Sequence, residues 1–498
     1  MKKILSILIT GLTVFSIQSQ NINDALRYSQ DNLNGTARFR AMSGAFGALG
    51  GDFSALNVNP AGSVVFANNQ VGFTLSNYNI KNDSNYFGRN TSENDNAFDI
   101  NQAGGVFVFT NPRNNSGWKK FAIAVNYDNA KNLDNTVFSA GTNPTNSIAN
   151  YFLSYANGIP LNVLNDFYFD ELFYNEQQAY LGYQSYIINP TVNIPSNTLY
   201  NSNVAPGGNY YQENNVVSNG YNGKLTINAS AQYTDKLSFG LNLNSYFTDY
   251  RQTSSFTERN SNNTTTTDLV KRVRFNSDLY TYGTGLSFQL GTIFKPIKEI
   301  RIGIAYESPT WYRLNDELTQ SIVAVSGSSA GELAPDVVDP DTTIIYAPYN
   351  LQNPSKWTGS FAYVFGKKGI ISIDYAVKDY SKTQFKPKRD FIEANAQMAS
   401  VLTVSNEFRV GAEYKIKKIS LRGGYRFEQS PYKNRKTVGD LTGYSGGLGY
   451  NFGSIKLDMA YSYSQRETQQ GFFSQGLTDA ALIKSKNNNI SLTLLFEL

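Results

Sequence analysis

The side chains that could do chemistry in this sequence are carboxylates, guanidinium and ammonium groups, hydroxyls and amides, because it contains no His and no Cys. Without His, the sequence lacks the commonest general base and metal ligand. Without Cys, it has no thiolate nucleophile, thiolate zinc site or disulfide. A nucleophilic Ser usually needs a His base, and haem iron would depend on Tyr or Met. We therefore expect no enzymatic activity, no cofactor and no metal site.

Two arginines are the best candidates for binding an anionic ligand. Arg409 and Arg422 each carry a planar guanidinium, which can bond a carboxylate through two parallel N–H donors. Strand alternation places both on an inner face, together with other charged residues. The whole inward set is Arg301, Glu307, Asp374, Lys378, Arg409, Glu413, Arg422, Arg426 and Glu428. The alternative interpretation is that these charges pair with one another in a polar interior.

A second candidate binding region is a long segment, residues 129–220, which is dense in apolar residues. Exposed apolar patches usually mark binding, so this segment could form a groove that captures an apolar ligand. Its candidate ligand contacts are Phe152, Leu164, Phe167, Phe169, Leu172 and Phe173. The alternative is a small core that holds the short helices of this segment together.

Alternation of apolar and polar residues is the main structural signal. Between positions 455 and 464, apolar residues occupy every second position, and residues 490–498 repeat the pattern with Leu495 as the exception. This period of two predicts β-strands with two different faces. A soluble sandwich would alternate in the same way, so alternation alone does not decide the fold class.

The lengths of the connections separate the two fold classes. Predicted strands cover 71–80, 100–110, 118–128, 221–234, 236–250, 278–294, 299–312, 355–366, 369–382, 405–416, 418–429, 440–452, 454–466 and 488–497. Short turns near 111–117, 235, 295–298, 367–368, 417 and 453 alternate with much longer connections. Outer-membrane barrels have short periplasmic turns and long extracellular loops. The sequence therefore predicts an all-β protein, a transmembrane antiparallel β-barrel of about 14 strands with long extracellular loops.

The N-terminus and the charge agree with an exported protein. Lys2 and Lys3 precede an apolar run over 4–17, which predicts a signal peptide over residues 1–19 with cleavage after Ser19. No later stretch reaches eighteen apolar residues, so a membrane protein of this sequence must be a closed barrel. The formal charge of +4 falls by two with the signal peptide, so nucleic acid is not an expected partner. We expect the protein in the outer membrane of a Gram-negative cell.

Residues 38–64 read RFRAMSGAFGALGGDFSALNVNPAGSV. This stretch resembles the N-terminal segment of the FadL/TodX family of hydrophobic-compound transporters. Asp52-Phe53-Ser54-Ala55 and Asn59-Pro60-Ala61-Gly62 occupy the positions of the family's motifs. Residues 283–309, 374–381 and 423–431 are also similar to the family, whereas the loop 129–220 is not.

The resemblance implies an N-terminal hatch over residues 20–68 that plugs a barrel over 69–498. It also implies uptake of long-chain fatty acids, aromatic hydrocarbons or similar molecules, with release through the barrel wall into outer-membrane lipid. Gly44, Gly47 and Gly50 then lie in the hatch, where they allow tight packing or contact the ligand. Asn59, Pro60 and Ala61 form a turn that anchors the hatch, gates ligand exit, or does both.

Two other functions remain open at this point. Some relatives are outer-membrane partners in protein secretion or surface-protein attachment, and the long loops fit that role too. A polar, filled lumen would favour protein partners, whereas an apolar tunnel would favour transport. A water-filled porin is the third possibility, and the roughly fifty residues before the first strand argue against it.

Overall fold

The computed structural model describes residues 20–112, 117–262 and 268–498. The predicted signal peptide, with its cleavage after Ser19, lies outside the described residues.

Fourteen antiparallel strands form the wall of a closed barrel. They are β1 Gln70–Tyr86, β2 Arg89–Thr110, β3 Trp118–Asn132, β4 Tyr210–Tyr233, β5 Leu237–Asn260, β6 Leu269–Phe294, β7 Ile300–Glu307, β8 Lys356–Phe365, β9 Gly369–Asp379, β10 Val404–Ile416, β11 Ile419–Glu428, β12 Val438–Asn451, β13 Ile455–Gly471 and β14 Ala480–Glu497. Each strand pairs with the next along the chain, and β14 pairs with β1 from Glu497↔Gln70 to Leu482↔Asn85. The predicted fourteen-strand antiparallel barrel is confirmed.

Several strands run further than predicted at the long-loop end. β1 and β2 continue past the predicted limits and meet at Phe87–Gly88, so much of that expected loop is a hairpin. The predicted strand over 299–312 is wrong at its end, because β7 stops at Glu307. Pro309 follows, and a new strand, Trp311–Ser328, pairs with the upper half of β6. Proline lacks a backbone N–H and interrupts a ladder.

Two apolar exceptions to alternation have a common cause inside the barrel. Val106 of β2 and Leu495 of β14 face inward and are buried against Phe53 and Phe66 of the N-terminal segment. Their strand neighbours, such as Phe107, point to the outside. The irregular stretch 106–109 is therefore apolar on both faces, because one face meets lipid and the other meets the plug.

The segment between Gln20 and Phe66 fills the lumen and is mostly buried. It contains helices α1 Ile22–Ser29 and α2 Ala37–Ala41 and the 3₁₀ turns Ser54–Asn57 and Pro60–Val65. We call residues 20–66 the plug segment. Helix α1 begins with a capping box, in which Asn21 accepts hydrogen bonds from Asn23 and Asp24 and the Asp24 carboxylate accepts from the Asn21 backbone.

The remaining elements lie at the long-loop end. The helices are α3 Ala149–Ala156, α4 Leu161–Asp166, α5 Tyr174–Gln184 and α6 Ile392–Val401, with 3₁₀ turns at Phe169–Glu171 and Tyr380–Lys382. The short strands are Asn135–Asn143, Ile188–Pro190, Tyr200–Ser202, Gly331–Glu332, Asp336–Val338, Ile344–Ile345, Tyr349–Gln352 and Gln384–Lys386. Within the described ranges, no helix is both long enough and apolar enough to cross a bilayer.

Candidate functional site

The Asn59-Pro60-Ala61 turn of the plug segment is held against the wall. The Asn59 amide donates to the carbonyl of Thr292 in β6 at 3.0 Å and to Gly47 within the plug at 2.7 Å. On β4, Asn228 donates to the Pro60 carbonyl at 2.9 Å. A side chain at wall position Gly240 or Gly291 would collide with this turn. The two glycines therefore permit a close approach of plug backbone to wall backbone.

The glycine-rich stretch of the plug packs against the adjacent part of the wall, at β8 and β9. The backbone N–H groups of Phe46 and Gly47 donate to the Asp374 carboxylate of β9 at 2.9 and 3.0 Å. A side chain at Gly47 would collide with Ser360 of β8. Gly44 and Gly50 have φ of +78° and +61°, a conformation that favours glycine. These contacts support packing as the reason for the glycines.

The wall has a break between β2 and β3. The two strands are paired only from Thr110↔Lys120 to Gln102↔Asp128. Beyond this point β2 continues along β1, and β3 continues along β4 with an irregular register at Ala130. Asn101 is the extra residue of a bulge in β2. A bulge disrupts the ladder and bends the strand, so the strands diverge here.

Side chains close the break where the backbone ladder is missing. Asp99 of β2 accepts hydrogen bonds from Asn129 at 3.0 Å and Asn132 at 2.5 Å, both on β3. No backbone pairing joins these two stretches of the described chain. The seal between the strands is therefore made of a few polar contacts.

Two residues of the plug segment bridge the break from inside. The Asn34 amide donates to the carbonyls of Asn129 and Ala130, each at 2.6 Å. The next residue, Gly35, donates its N–H to the Asn101 side chain of β2 at 2.6 Å. Asn34 and Gly35 thus supply hydrogen bonds that the two strands would otherwise exchange. We call them the bridging pair.

A cavity of about 120 Å³ leads inward from the break. Asp128, Ala130 and Lys131 lie at one end, and Lys356, Lys378 and Arg409 line the opposite wall. Its lining also includes Asp31, Glu307 and Lys224, so basic residues outnumber acidic ones five to three. The cavity is polar and smaller than the pockets of about 300–1,000 Å³ that hold drug-sized ligands.

Asp31 ties the plug segment to the wall of this cavity. Its carboxylate contacts the Lys356 and Lys378 ammonium groups at 2.8 and 3.1 Å. Burial opposes ionisation of Asp31, but the two ammonium groups outweigh burial and hold its pKa well below the usual range. Asp31 is therefore an anion at neutral pH and occupies the position that another carboxylate could take.

The two predicted carboxylate-binding arginines lie in different surroundings. Arg409 lines the cavity and pairs with Glu407 through Nε at 2.7 Å and Nη2 at 2.5 Å, which leaves Nη1 with only a long contact to the Gly44 carbonyl. Arg422 is buried between Glu413 and Asp458, with contacts of 2.7 and 2.6 Å. Arg409 is thus the better placed of the two to meet a ligand.

The predicted aromatic loop residues divide into two groups. Phe152, Leu164, Phe169 and Leu172 are buried, and the first three belong to one core. This core joins α3, α4 and α5 to the upper ends of β5 and β6. Phe167 and Phe173 are 48% and 39% exposed on the same cap. Of these six predicted contacts, the structure therefore leaves Phe167 and Phe173 on the surface.

Two Gly-x-Ser-x-Gly strings in the described chain lie outside the structural setting in which such a nucleophile acts. The strings 327–331 and 443–447 match Gly-x-Ser-x-Gly, but they lie in a hairpin and within β12, not in the strand-to-helix turn that exposes a nucleophile. Ser445 bonds Ser43 of the plug at 2.7 Å. Across the described ranges, no three acidic side chains are grouped to hold a metal ion.

The sequence analysis missed the residues at the break. Asn34, Gly35 and Asn101 are ordinary turn or strand residues by type, and Asp31 carried no motif. The weak signal that the sequence does carry is the pair Asn34-Gly35, because Asn-Gly favours a tight turn. Nothing in the local sequence indicates that residues 34 and 101 meet.

Comparisons with known proteins agree with this geometry. The sequence profile of the family described as outer membrane protein transport protein (OMPP1/FadL/TodX) matches residues 182–489. A Pseudomonas aeruginosa FadL homologue is similar in structure, with a TM-score of 0.53, 14% identity, and 94% of this chain and 99% of that chain covered. The Pseudomonas putida toluene transporter TodX has a TM-score of 0.51 and 16% identity over the same shares. No curated protein matches the sequence.

Proposed function

Because the chain belongs to the OMPP1/FadL/TodX family of outer-membrane transport proteins, we propose that it carries fatty acids or other hydrophobic small molecules across the outer membrane. We further propose that the molecule leaves sideways, through the break between β2 and β3. The P. putida relative is a toluene transporter, which supports a hydrophobic cargo here.

The break itself is the observation that carries this proposal. On the outer surface beside it, Phe98 and Ile100 of β2 are 68% and 57% exposed, and Val125 of β3 is 48% exposed. In an outer-membrane barrel such outward apolar residues face hydrocarbon. A molecule leaving here would enter lipid directly, which suits an apolar solute better than exit into water.

The plug segment must move for the route to open. The cavity of about 120 Å³ is too small for a fatty acid, and the bridging pair closes its outer end. Residues 56–63 around the Asn59–Pro60 turn are hydrogen-bonded to Asn228, Asn242, Gln289 and Thr292 on three adjacent strands, β4, β5 and β6. We therefore propose that this turn stays fixed while residues near Asn34 shift. Gly44, Gly47 and Gly50 then serve packing, and Asn59, Pro60 and Ala61 serve as the fixed anchor.

We also propose where the ligand makes contact. The exposed rings of Phe167 and Phe173 are the first capture surface, supported from beneath by Phe152, Leu164, Phe169 and Leu172. In the lumen, an acidic ligand would meet Arg409 through its less committed Nη1 and displace Asp31 from Lys356 and Lys378. Arg422 supports the wall between its two carboxylates.

Two engineered disulfides test the route, since the natural chain has no Cys. Asn34→Cys with Ala130→Cys would fasten the plug across the break, and Ser63→Cys with Ser230→Cys, whose hydroxyls lie 2.6 Å apart, would fasten the anchor. In cells, oxidised N34C/A130C should lose labelled oleate uptake and recover it after reduction. Oxidised S63C/S230C should transport normally. Normal uptake through oxidised N34C/A130C would reject the lateral route.

One observation favours the alternative function. The lumen is polar and nearly filled, as expected for a barrel that serves in protein secretion or surface-protein attachment without moving lipids. Mass spectrometry of lipid extracted from the purified protein separates the two. A stoichiometric fatty acid or hydrocarbon supports transport, whereas an empty barrel that retains surface proteins supports the alternative.

A further inference from the structure

Lysines are concentrated on one arc of the short-turn rim. The arc consists of the turns β4–β5, β6–β7, β8–β9 and β10–β11, at the end that faces the periplasm in an outer-membrane barrel. Its exposed lysines are Lys236, Lys298, Lys367, Lys368, Lys417 and Lys418. The acidic residues of these four turns are Asp235 and Glu299. We call this set of six residues the lysine arc.

The four turns are neighbours in space and form one surface. Backbone hydrogen bonds join them in sequence: Lys295 donates to Lys236 at 2.6 Å, Val364 to Glu299 at 2.8 Å, and Lys415 to Lys368 at 2.7 Å. Each bond links a strand end to the turn beside it. The lysines therefore form a continuous band along about half of the rim.

The charge of this band is not neutralised by the protein. Among the residues that the structure describes, none of the six lysines forms an ion pair, and the nearby Lys415 reaches only the buried Glu413, at 3.6 Å. Lys295, in the β6–β7 turn, does not belong to this exposed set, because burial, with smaller contributions from Arg301 and Lys120, lowers its pKa to about 8.

The band lies at the edge of the apolar belt, not away from it. Phe294, Phe365, Tyr414 and Ile416 are 42–53% exposed on the outer face, and each is within three residues of a lysine in these turns. Aromatic residues at this position mark the membrane–water interface. Lysine side chains beside them reach the depth of lipid phosphates.

We propose that the lysine arc is a binding surface for anionic phospholipid headgroups of the periplasmic leaflet. Clustered lysines at a bilayer surface attract anionic lipid, and these ammonium groups are exposed and unpaired. Elsewhere on the described rim, Lys456 is neutralised by Glu497. Anionic lipid is therefore expected at the lysine arc. This surface is separate from the lumen and does not depend on what the lumen carries.

The test uses the full-length barrel in detergent with equal amounts of phosphatidylglycerol and phosphatidylethanolamine. Unbound lipid is removed, and retained lipid is measured by mass spectrometry. We expect the natural protein to retain phosphatidylglycerol preferentially. The variant K367Q/K368Q/K417Q/K418Q should reduce the ratio of the two lipids about fivefold or more.

A matched control removes four exposed lysines from the long-loop end, as K382Q/K388Q/K433Q/K436Q. It should keep the lipid preference, and added salt should weaken the preference of the natural protein. No preference in the natural protein, or an equal loss in both variants, would overturn the proposal. The proposal would also be overturned if the arc variant retained the lipid but lost a cross-link to an acidic periplasmic protein. That result would assign the lysine arc to a protein partner.

Discussion

Two sides of the lumen wall are built from different chemistry. On β10, β11 and β13, buried carboxylates and guanidiniums alternate in pairs of 2.5–3.1 Å, such as Arg422–Asp458 and Arg466–Glu428. On β4, β5 and β6, the inward groups beside the Asn59–Pro60 turn include neutral amides, such as Asn228, Asn242 and Gln289. Both sides are polar, but their side chains have different bonding partners. We call the side on β10, β11 and β13 the charged wall and the side on β4, β5 and β6 the amide wall.

Side chains of the charged wall pair mainly with one another, whereas amide side chains of the amide wall bond the plug segment. The charged network reaches the plug segment through the pair of Arg38 with Glu413 at 2.9 Å and through a long contact of Arg409 to the Gly44 carbonyl. The three amides instead donate to plug carbonyls, those of Pro60, Leu56 and Asn57, at 2.8–3.0 Å. Amides hold backbone without charge, so they anchor the plug at any pH. The charged wall fixes the barrel shape around it.

The largest effect should follow from removing the centre of the charged network. Glu413→Gln leaves Arg38 and Arg422 without their shared carboxylate and should lower the free energy of unfolding by about 3–5 kcal/mol. Denaturant unfolding of the purified barrel measures this change. Glu467→Gln, in an exposed pair with Lys484, is the control and should cost about 1 kcal/mol or less.

A smaller effect is expected on the amide wall. Asn228→Ala removes the donor to the Pro60 carbonyl and should cost about 1–3 kcal/mol in the same assay. Asn96→Ala, which loses an exposed amide pair with Asn77, should be nearly neutral. If Asn228→Ala were as costly as Glu413→Gln, the contrast between the two walls would fail.

A smaller and more local effect is expected at the break. Asn34→Ala removes both hydrogen bonds to the β3 backbone and should destabilise the plug by about 1 kcal/mol. Hydrogen exchange should be faster at the amides of residues 130–132 and unchanged at 61–63 near the anchor. Equal acceleration at both places would mean that the plug moves as one unit.

The smallest effect is the pH dependence of the Asp31 contacts. Because the folded pKa of Asp31 is lowered, its contribution is present above the ordinary carboxyl value of 3.8 and is lost as pH falls below it. Plug mobility, followed by a spin label near residue 31, should rise only in that acidic range. Asp31→Asn should remove the acid response, whereas a response that persists in this variant would assign it to another group.

Much of the barrel was predictable because lipid imposes a simple rule on each strand. Outward positions must be apolar, so the period of two in residues such as 455–464 identified the strands. The alternation of short and long connections indicated which strand ends lie at the same end of the barrel. The strand near 100–110 departs from the alternation of apolar and polar residues for a physical reason. Val106 faces the plug, and an inward apolar residue breaks the pattern.

The sites were less predictable than the fold. Strand alternation predicts which charged residues face inward, including Arg409 and Arg422, but it does not predict which residues they pair with. Phe152 and Phe167 are alike in sequence, yet one is buried and the other exposed. Which aromatic residues meet solvent depends on how α3, α4 and α5 pack over the upper strands.

By itself, the sequence determined a barrel of about fourteen strands and predicted a hatch before it, because strand alternation and the hatch motif are local properties. Only the tertiary structure decided that β2 and β3 separate and that Asn34 and Gly35 bridge them. The bulge at Asn101 adds one residue to a strand, and the amino-acid composition of that strand does not reveal it. Its effect on the wall depends on the contact between Gly35 and Asn101, which are 66 positions apart in the chain. Such contacts arise only when the barrel closes around the plug.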